Sequence, residues 1–427
     1  MNQHRILMAT DVPFWRKSTG AEQRIASMVH FLMSDSFQVR TFFLGQTDSD
    51  QFTTNDQKLI KQQNLDIDQR SSEQLPRQLS QKLGWYADAT VNQIKQWTQG
   101  NKEHAPADTA MRLEDFRWPW AMKAFSESVS EFQPDSILIQ YIKLGYLLNS
   151  LTESQRMQTS CIVDTHDILH KRAEQFREHG FQHWINIDRE EESNALQQFD
   201  LILAIQENEA RLIREMAPQS QTIVCGHATV STISKTKFEP DPSGVEGALT
   251  SIGYLGSTNA SNTAALESFF KTDWSKIRSP EKSKLEFVIA GSICNWIEKN
   301  TSIDLAKLDC VRLLGPVEEL EEFYNQVDVV INPVEFGTGL KIKNCEAIAF
   351  GKPLLTTTHG AIGLPPESKN AMIVCQSTES LVAAIQNLMD DVQRFRNLVQ
   401  AAKQLSQTGF SDQEVYSELK QTLLQEK

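Results

Sequence analysis

Short apolar runs alternate with amphipathic stretches from the amino terminus onward. Arg5–Thr10 reads as a buried strand, followed by a polar loop containing Pro13. Thr19 and Glu22 have capping-box spacing, which predicts a helix running through Ile25, Val29 and Leu32. Val39–Leu44 reads as the second strand, and strand–helix–strand is the opening of a parallel α/β sheet. The same rhythm returns with strands at Ser136–Gln140, Ser160–Asp164, Asp200–Ile205 and Thr222–Cys225, and with a helix from Glu207 to Met216. Between them, residues 46–99 lose their strand signals, and 12 of these 54 residues are Gln, so residues 46–120 are expected to form a helical insertion. Trp85, Trp97, Trp118 and Trp120 fall in or just after that stretch. They either anchor the insertion to the core or line an acceptor pocket or a lipid contact.

Pro240, Pro242, Gly244 and Gly247 lie in a stretch without periodicity, which marks 236–250 as a linker. A second α/β series follows. Its strands are expected at Thr250–Leu255, Leu285–Ala290, Val311–Leu314, Asp328–Asn332 and Pro353–Thr356, with helices at Ala264–Phe270, Glu318–Gln326 and Lys341–Phe350. Thr378 to Leu405 is expected to be helical, and Asp412–Gln425 to form a last helix. The expected organisation is therefore α/β, with two Rossmann-like parallel-sheet domains, 1–235 and 251–405, facing across a cleft. A helix within 406–427 is expected to pack back on the first domain. Ligands of such sheets bind at the carboxyl ends of the strands.

The chain has 427 residues, enough for two cores, and a formal net charge of −13. That balance disfavours a nucleic-acid binder, which needs a basic face, but leaves room for a small basic pocket. The six cysteines form no CxxC pair, so free thiols in a reducing compartment are expected, and no metal site. No run approaches the ~20 apolar residues of a spanning helix. The expectation is a cytoplasmic protein, with peripheral contact to the inner membrane face left open.

The stretch richest in chemistry is Val329 to Leu364. A strand ending at Pro333 leads through Glu335-Phe336-Gly337-Thr338-Gly339-Leu340 into a helix beginning near Lys341. Free N–H groups at a helix start, and its partial positive charge, suit an anion such as a diphosphate. Gly337 and Gly339 would let the backbone approach it closely. Lys341 and Lys343 in the first turn oppose the helix dipole, which makes sense with an anionic ligand in front of them. Glu346, one turn further, could accept two hydrogen bonds from a ribose diol. The alternative on spacing alone is an ordinary βα turn with a solvated Lys–Glu pair.

This stretch resembles the donor-binding motif of retaining GT-B glycosyltransferases of family four (the group-1 glycosyltransferases). The resemblance is carried by the Gly-rich loop, Glu346-Ala347 and Gly351-Lys352-Pro353. Asp164-Thr165-His166-Asp167, Gly253-Tyr254-Leu255-Gly256-Ser257 and Leu314-Gly315-Pro316-Val317 look like further segments of the same family. The resemblance implies metal-independent, retaining transfer from a nucleotide-diphosphate sugar to an acceptor hydroxyl, on a carbohydrate or a lipid-linked carrier, without a cofactor. It implies that Glu346 holds the donor ribose and that amides around Gly337, Thr338, Gly339 and Leu340 meet the diphosphate or sugar. Lys341 would offset the leaving group's charge. Glu335 would touch sugar hydroxyls, at a spacing of 11 from Glu346 that is wider than the usual motif. The Arg and Lys common after the turn opening the second domain are missing from Ser257-Thr258-Asn259-Ala260-Ser261-Asn262.

His166 ends a strand of the first domain and could donate a hydrogen bond to the reacting sugar or acceptor; the alternative is a satisfied turn histidine. His166/His170 and His179/His183 are i, i+4 pairs without a supporting carboxylate pattern for zinc. Gly20, at a helix start after the first strand, either merely begins the helix or lets a diphosphate approach its amides. Two other functions stay open: a catalytically silent nucleotide-sugar-binding or scaffold protein, and a sugar-nucleotide epimerase on the same fold.

Overall fold

The computed structural model describes residues 3–34, 37–45, 52–70, 110–229, 249–272, 285–299, 310–407 and 409–425. Seven strands, β1 (His4–Thr10), β2 (Phe37–Leu44), β3 (Asp66–Arg70), β4 (Ser136–Gln140), β5 (Ser160–Asp164), β6 (Leu201–Ala204) and β7 (Gln221–Val224), form one sheet in the order β3-β2-β1-β4-β5-β6-β7. Six more, β8 (Ser251–Leu255), β9 (Glu286–Ala290), β10 (Val311–Gly315), β11 (Val329–Asn332), β12 (Leu354–Thr357) and β13 (Met372–Cys375), form a second in the order β10-β9-β8-β11-β12-β13. Adjacent strands are parallel throughout the described residues. Helices cover both faces of each sheet, so the central strands are buried on both sides and read as near-continuous apolar runs such as Ile137-Leu138-Ile139. The strand order reverses between β1 and β4 and again between β8 and β11, and ligands of open α/β sheets bind outside the carboxyl ends of strands at such points.

Two edge strands escaped the sequence reading. In β3 only Ile67 is apolar, and β13 is partly exposed over Met372 to Val374. An edge strand packs less, so its pattern is weak. The described residues of the expected 46–120 helical insertion are mixed: a helix over Thr54–Gln62, capped by Thr53 with Asp56, then β3, and further on a short 3-10 turn, Leu113–Phe116, before the helix that starts at Pro119. Trp85 and Trp97 lie outside the described residues. Trp118 is buried and stacks on Trp120 at 6.0 Å, and both pack on the first-domain core, so these two act as anchors.

The first helix spans Gly20–Ser34. The Glu22 amide donates to Thr19 Oγ1 (3.3 Å), while the Glu22 carboxylate accepts from the Ser18 amide (2.6 Å) and hydroxyl (2.7 Å). Arg24 on this helix bonds fully buried Asp164 through two nitrogens (2.7 and 2.9 Å) and the Cys225 carbonyl (2.8 Å). Breaking such a buried pair on one side strands the other charge, so Arg24 clamps the end of β5 to the first helix. The expected 378–405 helix is two, Thr378–Asp390 and Val392–Ser406, because Asp391 leaves helical geometry and caps the second. The last helix breaks at Tyr416, whose ring packs on Phe31 (5.3 Å) and whose hydroxyl donates to Ser27 Oγ (3.1 Å). Tyr416, Leu419 and Leu423 thus belong to the first-domain core.

Candidate active site

The loop after β11 runs across the cleft and touches the first domain directly. Gly339 has φ 76°, and a Cβ there would lie 3.1 Å from the His166 carbonyl oxygen and 3.3 Å from Asp167 Cβ, so both conformation and space demand glycine. The Gly337 amide donates to Gln175 Oε1 (2.8 Å) and the Gly339 amide to Glu209 Oε1 (2.8 Å). Gln175 lies on the helix Leu169–Glu178 and Glu209 on the helix Glu207–Met216, both in the first domain. Phe336 packs between Phe176, His179 and Phe181. This corrects the expectation of free amides at Gly337 and Gly339: buried donors in a narrow cleft have taken acceptors from the facing domain. An anion reaching these two amides must displace Gln175 and Glu209.

The Lys341 ammonium folds back onto its own loop and donates to the carbonyls of Gly337 (2.7 Å), Gly339 (3.1 Å) and Thr338 (3.3 Å). His359 Nε2 also donates to the Gly337 carbonyl (2.8 Å). Lys341 therefore braces the loop, where the resemblance implied a counter-charge for the leaving group. Burial, helped by Arg172, lowers its pKa to about 8 against the pull of Glu209 and Asp167. Thr338 Oγ1 is buried without a hydrogen-bond partner among the described residues, and Leu340 packs into the second-domain core. Glu335 stays apart: it is exposed and accepts from Thr378 Oγ1 (3.3 Å).

The helix Ile342–Ala349 starts with no side-chain cap. Lys343 in its first turn donates to Asn262 Oδ1 (2.8 Å) and Tyr254 Oη (3.0 Å), with its ammonium 4.3 Å from the Tyr254 ring centre. Asn262 thus stands where the missing Arg and Lys would have been, but it holds a cation rather than supplying one. Glu346 follows one turn later, buried, with Tyr324 Oη donating at 3.4 Å. Burial raises Glu346 to about 7 against Tyr324 and Lys343, and lowers Lys343 to about 7 against Glu346. Both groups are poised near neutrality, so a charged ligand shifts their protonation readily. Asn344 ties the helix down: it accepts from Asn332 Nδ2 (2.8 Å) and donates to the Gly360 carbonyl (2.8 Å).

Gly20 opposes this helix start, but the room it leaves is filled. A Cβ on Gly20 would lie 3.3 Å from Ile342 Cδ1. The diphosphate approach expected there is blocked by an apolar side chain in this structure, because the two helix starts pack on each other.

His166 follows β5 with φ 61°, in the left-handed region, and its ring stacks on Tyr141 at 3.9 Å. Burial lowers its pKa to about 4 despite Asp164, so the ring is neutral. Its Nε2 lies 2.7 Å from Gln140 Oε1, which can only accept, so Nε2 carries the proton. The expected role as donor to substrate is therefore corrected: the remaining nitrogen, Nδ1, is an acceptor. The i, i+4 pairing with His170 also lapses, since the helix begins at Leu169 and His170 bonds Glu192. His183 bonds the Ile185 carbonyl (3.0 Å) and His179 stacks on Phe336 (4.4 Å). All six cysteines are free.

His166 yields a stability prediction. The unfolded histidine takes up its proton near pH 6.5, the folded one near 4. Its contribution is complete above pH 6.5 and is lost as pH falls toward 4, by roughly 3 kcal/mol. Denaturant unfolding of wild type and His166→Gln across pH 7 to 4 is expected to show the variant losing that much less; parallel curves would refute the neutral buried ring.

Glu209, Gln175, Gln206 and His359 were not singled out by sequence reasoning. Gln175 and Glu209 sit on ordinary amphipathic helices and Gln206 just before the second of them, and only their place after β5 and β6, at strand carboxyl ends, could have pointed to them.

Two parallel-sheet α/β domains meeting across such a cleft are the GT-B arrangement. Residues 250–391 match the family model described as "Glycosyl transferases group 1". No curated protein matches the chain by sequence. Among solved structures, Anabaena HepE in complex with UDP and glucose aligns with a TM-score of 0.64 at 14% identity, covering 99% of this chain and 100% of that one. Sucrose-phosphate synthase of Thermosynechococcus elongatus aligns with a TM-score of 0.65 at 14% identity, covering 99% of both chains. A glycosyltransferase of Rickettsia africae aligns at 0.64 and 12% identity, covering 100% of this chain and 99% of that one. No helix among the described residues is long and apolar enough to cross a membrane.

Proposed function

We propose that the protein is a glycosyltransferase that moves a sugar from a nucleotide-diphosphate sugar to an acceptor hydroxyl, with retention of anomeric configuration and without a metal. The observation that carries this reading is the pairing of Lys343 and Glu346 at the uncapped start of the helix Ile342–Ala349, beside the β8/β11 switch point. A cation and a carboxyl one turn apart suit the two ends of a nucleoside diphosphate: phosphate for Lys343 and the helix amides, ribose diol for Glu346. The family match over 250–391 and the UDP seen in HepE support it. As the bond from the sugar to the diphosphate breaks, negative charge grows on the leaving oxygen. Lys343 and the helix amides would stabilise that charge, while the cleft holds the acceptor hydroxyl against the sugar.

Release of free nucleoside diphosphate, dependent on both donor and acceptor, tests the proposal. A thermal-shift screen of UDP, GDP and their sugars selects the donor first. His166→Ala is expected to lower turnover roughly 10–100-fold by removing the neutral acceptor Nδ1 that positions substrate, with nucleotide affinity nearly intact; wild-type rates would retire its role. A second reading, a silent nucleotide-sugar-binding protein, draws on the engaged amides of Gly337 and Gly339. Donor binding without diphosphate release, whatever the acceptor, would favour it.

A further inference from the structure

Phe336 joins the two domains through a small apolar core of its own. It is buried with Phe176 and Phe181 of the first domain and Ala260 of the second, and half-buried Ala264 and Trp296 close the cluster. Ala260 and Ala264 lie on the helix Ala260–Lys271, and Trp296 on the helix Ile293–Lys299. The Phe336 ring stacks on His179 (4.4 Å) and Phe181 (5.5 Å) and meets Phe176 edge-on (5.4 Å). The cluster shares no buried residue with the cores that flank the two sheets. Its only work is therefore to hold one domain against the other.

The polar contacts beside it act in the same direction. Gln175 Oε1 accepts from the Gly337 amide and Glu209 Oε1 from the Gly339 amide, each at 2.8 Å. Two first-domain oxygens thus sit on the glycine amides that an anionic ligand would use. Gly20 against Ile342 closes the same seam at the start of the helix Ile342–Ala349. Apolar burial and satisfied amides both favour the joined state while the cleft is empty. Phe336 and Gly337 are adjacent, so the ring and the amide leave the first domain together. Resting on the glycosyltransferase reading for its ligand, we propose that this seam is an autoinhibitory clasp. Phe336 is its bolt, Gln175 and Glu209 stand in for donor oxygens, and a nucleoside diphosphate binds only molecules in which the clasp has parted. Apparent affinity is then reduced by the fraction of molecules that are open. Truncating a buried ring on this loop strengthens nucleotide binding, the reverse of what a merely supporting side chain would give.

Calorimetric titration of wild type, Phe336→Ala and Gln175→Ala with UDP, GDP and their hexose conjugates tests the clasp, together with small-angle scattering with and without the nucleotide that binds. Phe336→Ala is expected to enlarge the radius of gyration of the empty protein and to tighten nucleotide about 5-fold or more, and Gln175→Ala to tighten it about 2-fold or more. Wild-type protein is expected to expand as nucleotide saturates it, a measurement that stands even where the Phe336 variant does not fold. Unchanged or weaker binding in either folded variant, or a wild type that contracts or keeps its size on saturation, would overturn the clasp. Wild-type protein that binds neither nucleotide nor nucleotide sugar would instead overturn the glycosyltransferase reading, and the size of empty Phe336→Ala against empty wild type would still decide the clasp.

Discussion

Glu346→Ala is expected to abolish the thermal shift that the preferred nucleoside diphosphate gives with wild-type protein. The carboxyl is buried on the helix Ile342–Ala349, with Tyr324 behind it and Lys343 one turn before it. A ribose diol would replace the long Tyr324 contact with two charge-assisted hydrogen bonds, each worth about 1.5–3 kcal/mol. Their loss corresponds to roughly 100-fold or more in dissociation constant. Ligand at 100 times the wild-type dissociation constant stabilises by about 2.7 kcal/mol, so the same concentration leaves the variant almost unshifted. Binding also draws on the raised pKa, because a diol that prefers the carboxylate lowers it again. Proton release on binding near pH 7 is the accompanying sign. A shift equal to that of wild type would remove Glu346 from the nucleotide site.

Lys343→Met is expected to lower kcat/KM about 100- to 1000-fold without lowering the unfolding midpoint. The kinetic loss is the size expected when one preorganised charge aimed at a leaving group is deleted. The stability follows from linkage: the folded lysine titrates near 7, against an ordinary value of 10.5, so holding it charged at pH 7 costs free energy. That cost is present below pH 7 and fades as pH rises toward 10.5. Replacing a buried cation by an apolar chain of similar length removes it, at the expense of the bonds to Asn262 and Tyr254. Activity and stability then separate. A midpoint that collapses in step with activity would show Lys343 to be a structural brace.

Much of the molecule was legible in its pattern. Apolar runs such as Leu201–Ala204 are buried on both faces, and a strand buried on both faces needs no partner to be recognised. Thr19 and Glu22 announced the first helix because capping is a local bargain between neighbours. Edge strands were not legible: with Ile67 as its one apolar residue, β3 carries little signal of burial. The site divides in the same way. Gly337, Gly339, Lys341 and Glu346 stand out because a glycine-bearing loop before a helix is a local anion device. Their partners do not, since Gln175 and Glu209 reach them from 162 and 130 residues away.

The order of strands and helices, the glycine loop and the lysines of a helix start are properties of short segments, and the amino-acid sequence determined them alone. Tertiary structure decided what those segments meet. It set Glu209 and Gln175 on the loop amides, Ile342 against Gly20, and the protonated nitrogen of His166 on Gln140. Hydrogen bonding and burial depend on which groups share a few ångströms of space, and that is known only once the two sheets have packed.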